Sequence, residues 1–479
     1  MGLLWLAHGI HHQKREDPVS RLVVVSNRVA VPDDQPARAG GLAVGLREAL
    51  TTHGGIWFGW SGKTTATSAT EPRIIERPPI TYAVVDLGRK DYAEYYNGFA
   101  NRTLWPLFHY RMSLAEFNRV DYAGYRRVNA LFAELLHPLL KPDDTLWIHD
   151  YHIIPLGKEL RRRGAENPMG IFLHTPFPAL EVLLALPSHA RLVRSLCSYD
   201  IVGFQTENDR RSFLDYIRHE AGGEILDGDL VRAHGRTLKA KVYPIGIEKG
   251  VLTQAALMST RGASYRRLEK SLDGRDLMIG VDRLDYSKGL PERLEAYQRF
   301  LEKFPQHRNK VSLMQIAPLS RSEVPEYKSI RQQLESLSGN INGRYGDFDW
   351  TPVRYLIKNF QRSVLAGFYR HARVGVVTPM RDGMNLVAKE YVACQNPQDP
   401  GILVLSRFAG AARELDTALL VNPFDREDVA DAMHRALTMP LDERKERWNA
   451  MMRVVDDQSL EAWRDSYLAD LAQAPFTVP

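Results

Sequence analysis

The stretch VGVVTPMRDGMNLVAKEYVACQ, residues 374 to 395, constrains the fold of this chain more than any other. Val374 to Thr378 is apolar and β-branched, the composition of a strand buried in a parallel sheet. Leu386 to Gln395 carries apolar residues at helical spacing. Between them lies the polar loop MRDGMN, with Gly383 to turn the chain. At such a corner the free N–H groups of the first helical turn and the helix dipole both point at the loop and favour an anion. Asp382 and Glu390 beside an anion site suit a ligand with hydroxyls as well as phosphate, such as a sugar nucleotide. For one such loop alone, an ordinary βα connection with charged surface residues is the favoured reading.

Two further segments repeat the pattern. LMIGVDRLDYSKGLPERLEAY, residues 277 to 297, is again a strand, a Gly and Pro turn and a helix, with Arg283 and Lys288 across the turn. Arg offers a planar fork for phosphate oxygens and Lys a mobile point charge, and a diphosphate can use both. RLVVVSNRVAVPDDQPARAGGLAVGLREAL, residues 21 to 50, places Arg28 after a strand and the Gly40–Gly41 pair at the opening of a helix. Adjacent glycines let a ligand approach the backbone closely. Three phosphate-suited βα corners point to an enzyme that handles two phosphorylated compounds.

Strand and helix patterns alternate along the whole chain. Apolar runs at residues 22–26, 145–149, 169–173, 200–204, 277–282, 311–316, 373–378 and 401–405 read as strands, with amphipathic helices at 124–140, 290–304 and 322–337 among those between them. This βαβα order predicts an α/β protein with doubly wound parallel sheets. A length of 479 residues is too great for one core. The natural break is YPIGIEKG, residues 243 to 250, and residues 64 to 74 (TTATSATEPRI) are expected to form a mobile loop. Residues 1 to 20 read as an extension: GLLWLAHGI is apolar but lacks the basic flank of a signal peptide and the length of a membrane span. No later run reaches the ~18 apolar residues of a membrane helix, and Cys197 and Cys394 cannot make a disulfide framework. A cytoplasmic protein is expected.

A net charge of +5 raises the question of nucleic acid. The basic clusters Arg161–Arg163 and Arg210–Arg211 sit in helical patterns among acids and read as solvated faces, so no nucleic-acid partner is expected; a mildly basic balance also suits anionic sugar phosphates. WFGWSGKT fails as a phosphate-binding P-loop because Trp57 stands at the first glycine position. GWSG lacks the closing glycine of a hydrolase elbow, where Lys63 stands. His149, Asp150 and His152 point in different directions if they lie on a strand, and Asp227/Asp229 and Asp347/Asp349 lie in loop patterns. No metal site is expected. GGLAVG does not have the spacing of the dinucleotide fingerprint.

The segments SNR, AGGLAVGL, WFGWSG, EYYN, LWPLFHYR, WIHDYH, LHTPFP, GFQTEND, YPIGIE, RLDYSKGLPER, QIAPLSR, INGRYG and RDGMNLVAKEYVA follow one another from about Arg21 to near the C-terminus. Together they resemble the trehalose-6-phosphate synthase family, retaining transferases that use UDP-glucose. The resemblance implies two Rossmann-like domains facing a deep cleft, the glycosyltransferase-B arrangement: an acceptor domain over 21–245, a donor domain over 246–456, and a segment 457–479 whose helix crosses back to the first domain. It implies transfer of glucose from UDP-glucose to glucose 6-phosphate with retention, forming α,α-trehalose 6-phosphate and UDP without a cofactor or metal, as the first step of trehalose biosynthesis.

The resemblance also implies the following residue roles, position by position. Gly40 and Gly41 approach the transferred glucose and the diphosphate; Arg283 and Lys288 grip the diphosphate, with the amides of Leu386 and Val387. Glu390 holds the ribose, Phe360 meets the uracil through its backbone, and Asp382, Gly383, Met384 and Asn385 bind the glucose hydroxyls. Arg28, Tyr96 and Arg321 take the acceptor phosphate and Asp150 a sugar hydroxyl, while Trp105 and His174 shape the reaction centre. A bland origin is available for some of them: Trp105 as a packed aromatic, His174 as a satisfied core histidine, Gly40 and Gly41 as a tight turn. Two other readings stay open, a related transferase with a different phosphorylated acceptor and a non-catalytic sugar-phosphate sensor. A fused phosphatase is excluded by the lack of its nucleophile motif. The donor base and the oligomeric state, a homo-oligomer included, stay undetermined by the sequence.

Overall fold

The strand Leu22–Arg28 is buried over its first five residues, and parallel strands flank it on both sides, Gly55–Thr65 and Thr145–His149. A strand so enclosed can expose neither face, which is why it reads LVVV. The computed structural model describes residues 21–32, 41–319 and 325–476.

Around this strand grows a ten-stranded sheet. Its parallel part continues through Met169–Phe172, Ile201–Phe204 and Arg236–Val242 on one side and Ile80–Gly88 on the other. Antiparallel strands close both edges, Arg73–Arg77 against Ile80–Gly88 and Leu230–Ala233 with Glu224–Ile225 beyond Arg236–Val242. The second sheet has six strands, all parallel, in the order Val353–Leu356, Val311–Ile316, Asp276–Val281, Val374–Val377, Ile402–Ser406, Leu419–Val421. Numbered by position along the chain within this sheet, the order is 3-2-1-4-5-6, that of the doubly wound dinucleotide-binding folds.

Every apolar run expected as a strand forms one, with ends shifted by two residues at most. Three expectations need correction. The helix expected from 124 begins at Arg119, because the Asn118 side chain caps it by accepting the Val120 N–H at 2.8 Å. The helix placed over 322–337 runs to Tyr345. Residues 64–74 are not a free loop: Ala69 N–H reaches the Asp86 carbonyl at 3.0 Å, Gly88 N–H reaches Ser68 Oγ at 2.8 Å, and Arg73 starts the edge strand. Short polar side chains there satisfy the edge of the sheet instead of solvent.

Two crossings join the sheets, and they run together. Ile247 bridges Ser459, and Gly246 packs on the Gln458 carbonyl with no room for a side chain. After the first crossing, helix Lys249–Ser259 packs on helix Arg362–His371 beside the second sheet. After the second, helix Leu460–Leu471 lies on the first sheet, with Trp463 4.8 Å from Trp147 between ring centres and Asp470 accepting from Lys239 at 2.7 Å, Lys241 at 2.8 Å and Tyr243 at 2.7 Å. Burial opposes the charge on Asp470, but these three donors hold its carboxyl below the ordinary value. Among the described residues no helix is long and apolar enough to cross a membrane.

The returning helix comes close enough to the sheet to dictate glycine beneath it. A Cβ at Gly170 would strike the hydroxyl of the fully buried Tyr467. Gly170→Ala is expected to lower stability by about 1–3 kcal/mol through overpacking and to speed proteolysis of the C-terminal helix. An unchanged denaturation midpoint together with unchanged proteolysis would mean that this contact is not tight.

Candidate active site

In open α/β sheets ligands bind beyond the carboxyl ends of the strands, where the strand order reverses. The first sheet reverses between Leu22–Arg28 and Thr145–His149, and the second between Asp276–Val281 and Val374–Val377. Arg28 ends the first of the first pair of strands and Asp150 follows the second. Arg283, Lys288 and Asp382 follow the second.

On the second sheet the two corner loops are stitched together. Lys288 forms an ion pair with Asp382, both side chains being largely buried. Asn385 Nδ2 donates to the same carboxylate at 3.0 Å and sits in the left-handed region, φ 73°, where it ends the loop and starts helix Leu386–Cys394. Met380 N–H donates to the Ser287 carbonyl at 2.8 Å, which ties one corner to the other. Ala411 N–H and the Met384 carbonyl, 2.8 Å apart, brace the loop from the next strand connection. Leu386 and Val387 are half-buried at the helix start.

Beneath these loops Arg293 is wholly buried and reaches Asp282 at 2.9 Å, Gln315 Oε1 at 2.9 Å and Thr378 Oγ1 at 3.0 Å. It thereby ties three adjacent strands at their carboxyl ends. Burial pushes the Asp282 carboxyl up while the Arg293 charge draws it down. Glu390 and Phe360 lie in a separate group. Burial raises the Glu390 carboxyl against the pull of Arg362, whose guanidinium is 3.8 Å away and also binds Glu248 at 2.6 Å. Phe360 packs edge-on against Phe368, ring centres 5.4 Å apart.

On the first sheet the aromatic residues come from one helical run. Tyr92–Leu104 has wide i→i+5 turns, a form that concentrates at functional positions, and Trp105 follows directly with its N–H on the Ala100 carbonyl. Tyr96 stacks on His152 at 5.7 Å and 11°. Trp105 is buried, its ring 5.8 Å from the Arg283 guanidinium and its Nε1 3.3 Å from Asp285 Oδ1. Arg28 is exposed and its guanidinium lies where a side chain at Gly62 would be.

Asp150 holds a strained backbone, φ 77° and ψ 168°, and its carboxylate accepts the His174 N–H at 3.2 Å. Such strain persists only where surroundings enforce it, and it clusters at functional positions. The His174 ring is fixed by its neighbours. Gln205 Oε1 accepts the Ile245 N–H at 3.1 Å, so the Gln205 amide NH2 faces His174 Nδ1 at 3.5 Å. His174 Nδ1 is then the acceptor, and Nε2–H donates to His149 Nδ1 at 3.1 Å. Burial lowers the His174 ring to about 3, and burial together with the neighbouring His174 holds His149 well below the ordinary imidazole value. Both shifts favour the neutral imidazole.

The halves also meet at a glycine. A Cβ at Gly383 would collide with the His174 carbonyl oxygen, so the Asp382 loop touches the first sheet through bare backbone. The structure thus brings Trp105, Asp150, His174, Arg283, Lys288, Asp382, Gly383 and Asn385 to one interface, with Tyr96 and Arg28 on the first-sheet side. Gly40 and Arg321 lie outside the described residues, and Gly41 begins helix Gly41–His53.

Several groups here went unmarked in the sequence. Arg293 and Asp285 stand in the quoted motif and could have been noticed as charges on the inner side of an amphipathic run. Gln205, and Arg381 with its guanidinium 3.7 Å from the Tyr110 ring centre, also stand in quoted segments but were given no role there. His149 and His152 diverge: His149 lies 6.3 Å from Trp463 between ring centres, while His152 stacks on Tyr96. The Asp-x-Asp carboxylates have other partners, Asp229 with Arg210 at 2.9 Å and Asp349 with Arg275 at 2.7 Å.

Comparison with known proteins matches this arrangement. The trehalose-6-phosphate synthase of Enterobacter sp. (strain 638) is 51% identical over 453 residues, covering 95% of each chain. A UDP-forming α,α-trehalose-phosphate synthase from Burkholderia xenovorans, solved in complex with glucose-6-phosphate, superposes with a TM-score of 0.91 at 51% identity, over 94% of this chain and 100% of that one. The E. coli protein bound with UDP-2-fluoro glucose gives 0.91 at 49% identity, over 96% and 100%. The two Rossmann-like domains have the glycosyltransferase-B arrangement. The profile of glycosyltransferase family 20 matches residues 20–473, and the chain belongs to that family.

Proposed function

We propose that this chain transfers glucose from UDP-glucose to the C1 hydroxyl of glucose 6-phosphate, retaining the α configuration and releasing α,α-trehalose 6-phosphate and UDP. The observation that carries this reading is the facing of two switch points, a cationic corner with the Lys288–Asp382 pair opposite an aromatic and histidine-lined one. The division of labour follows: residues 21–245 take the acceptor, 246–456 the donor, and 457–479 return to the first domain, with 1–20 as an extension.

In the donor half, Arg283, Lys288 and the amides of Leu386 and Val387 receive the diphosphate, with Gly40 and Gly41 approaching it from the other domain. Glu390 takes the ribose hydroxyls; its raised affinity for a proton reflects a buried carboxyl, one suited to accept hydrogen bonds in place of water. Phe360 borders the uracil. Asp382, Gly383, Met384 and Asn385 hold the glucose. In the acceptor half, Arg28, Tyr96 and Arg321 bind the phosphate and Asp150 a hydroxyl, with Trp105 and His174 around the reacting carbons.

Retention without a covalent enzyme intermediate fits this geometry. Asp382, the carboxylate nearest the reacting sugar, is engaged by Lys288 and Asn385, which makes it a hydroxyl acceptor and not a nucleophile. The bond between glucose C1 and the diphosphate oxygen breaks, the acceptor oxygen adds to the same face, and its proton passes to the departing phosphate oxygen. The protein aligns the two sugars and stabilises the charge that grows on the diphosphate. Neutral His174 donates or accepts hydrogen bonds but does not supply a cation. Buried, unpaired Cys197 and Cys394 fit a reducing compartment, so we place the protein in the cytoplasm.

Incubation of the purified protein with UDP-glucose and glucose 6-phosphate is expected to give a non-reducing disaccharide phosphate and stoichiometric UDP. Hydrolysis of UDP-glucose alone, or no turnover, would favour a sugar-phosphate sensor. Because Lys288, Arg283 and the helix amides provide the positive potential, activity is expected to survive excess chelator in metal-free buffer. Loss reversed by magnesium or manganese would contradict that.

Substitution separates the half-sites. Lys288→Ala removes a charge-assisted contact to the diphosphate worth ~1.5–3 kcal/mol, about ten- to a hundred-fold, and leaves Asp382 without its cation. Much of the loss is expected in kcat, because charge on the leaving group grows during bond breaking. Arg321→Ala is expected to raise KM for glucose 6-phosphate with UDP affinity near normal. If Arg321→Ala abolished UDP binding while Lys288→Ala preserved it, the division of the cleft would be wrong.

A further inference from the structure

We propose that Asp285 is a positioning residue that couples the two half-sites, so that glucose 6-phosphate and the nucleotide bind cooperatively. This rests on the acceptor role of Trp105 and the donor role of Lys288 given above. Asp285 lies four residues beyond the strand Asp276–Val281, at the switch point of the second sheet, and is fully buried. Its Oδ1 accepts the Ser287 N–H at 3.0 Å, which shapes the single turn Tyr286–Lys288 that presents Lys288. The same oxygen accepts the indole Nε1–H of Trp105 at 3.3 Å, from the first domain. Its Oδ2 accepts the Tyr327 hydroxyl at 2.9 Å, on the first turn and a half of the helix that begins at Pro325.

One carboxylate therefore holds the turn of the donor lysine, the ring of the acceptor tryptophan and the start of the helix that follows Arg321. Trp105 is gripped on a second side, its ring facing the Arg283 guanidinium at 5.8 Å. A buried carboxylate that loses one donor must find another or stay undersolvated. Moving the indole away from Asp285 thus disfavours the Lys288 turn, and ordering the indole on an acceptor sugar favours it. Linkage makes the effect reciprocal: whatever glucose 6-phosphate does to nucleotide affinity, the nucleotide does to glucose 6-phosphate affinity.

UDP and glucose 6-phosphate together cannot react, because the glucosyl group is missing, so their joint binding is measurable at equilibrium by calorimetry. In the unaltered protein, saturating glucose 6-phosphate is expected to tighten UDP about fivefold or more. Trp105→Phe keeps an aromatic ring but removes the pyrrole half of the indole with its N–H; Asp285→Asn removes the charge. Each is expected to reduce the factor below about twofold, and the double variant to lower it no further. A merely structural role would weaken UDP equally with and without glucose 6-phosphate, and that outcome, or full coupling in Trp105→Phe, overturns the inference. If Asp285→Asn does not fold, Trp105→Phe alone decides. An unaltered protein that turns over both substrates but shows no coupling overturns this inference and leaves the reaction standing. One that gives no turnover with glucose 6-phosphate overturns the functional reading, and this inference with it.

Discussion

The buried guanidinium of Arg293 is the interaction on which the rest of the site depends. It joins Asp282, Gln315 and Thr378, one from the end of each of three adjacent strands. Burying an ion pair costs several kcal/mol per charge before its attraction returns anything, so this arrangement does little for net stability. It supplies direction. With both nitrogen faces of the guanidinium committed, the chain after Val281 and the chain after Val377 must leave the sheet at fixed places. Those two chains are the loops that carry Lys288 and Asp382. Removing Asp282 would strand the Arg293 charge in the interior, a loss of about 3–5 kcal/mol, which makes the floor rigid in a way that apolar packing alone would not.

On this floor the cleft keeps its cations occupied. Lys288 rests on Asp382 and Arg362 on Glu248. On the reading proposed above, a diphosphate arriving at Lys288 would replace part of one charge interaction with another, and the lysine would not have to desolvate from bulk water. The same exchange would free Asp382 oxygens for the glucose hydroxyls that this reading assigns to them. Electrostatic stabilisation is most effective when the dipoles and charges are already in place before charge develops, and paired side chains of low exposure provide that. The histidines serve differently. Buried His174 and His149 form a polar chain with Gln205 and Ile245, so the first crossing between the sheets is hydrogen-bonded to the group that holds the His174 ring.

How much of this was legible in the sequence depended on how local each feature is. The three βα corners could be read because strand, loop and helix lie within about twenty residues and the periodicity changes in view. The parallel sheets followed from alternation, and the register of motifs carried the family. Legibility failed where structure depends on distant partners. Arg293 looked like one more charge on an amphipathic helix, since nothing nearby announces Gln315 or Thr378. Asp285 looked like loop chemistry, because Trp105 is 180 residues away. The edge strand Arg73–Arg77 was missed for the opposite reason: its sequence is short and charged, and it becomes a strand only because Ile80–Gly88 offers it an open edge.

The spacing of the two half-sites rests on contacts made by backbone. Gly383 lies against the His174 carbonyl with no room for a Cβ, and Gly246 lies in the same way against Gln458 where the crossings run side by side. Side-chain contacts can slip between rotamers, whereas peptide groups in van der Waals contact have one distance. A same-face transfer needs the acceptor oxygen, the sugar carbon and the leaving oxygen to meet within about 3–3.5 Å. Two glycines, one in the Asp382 loop and one at the first crossing, limit how far the two sheets can drift apart. The polar contacts of Asp285, Trp105 and Lys288 then act over a gap whose width the backbone has already set.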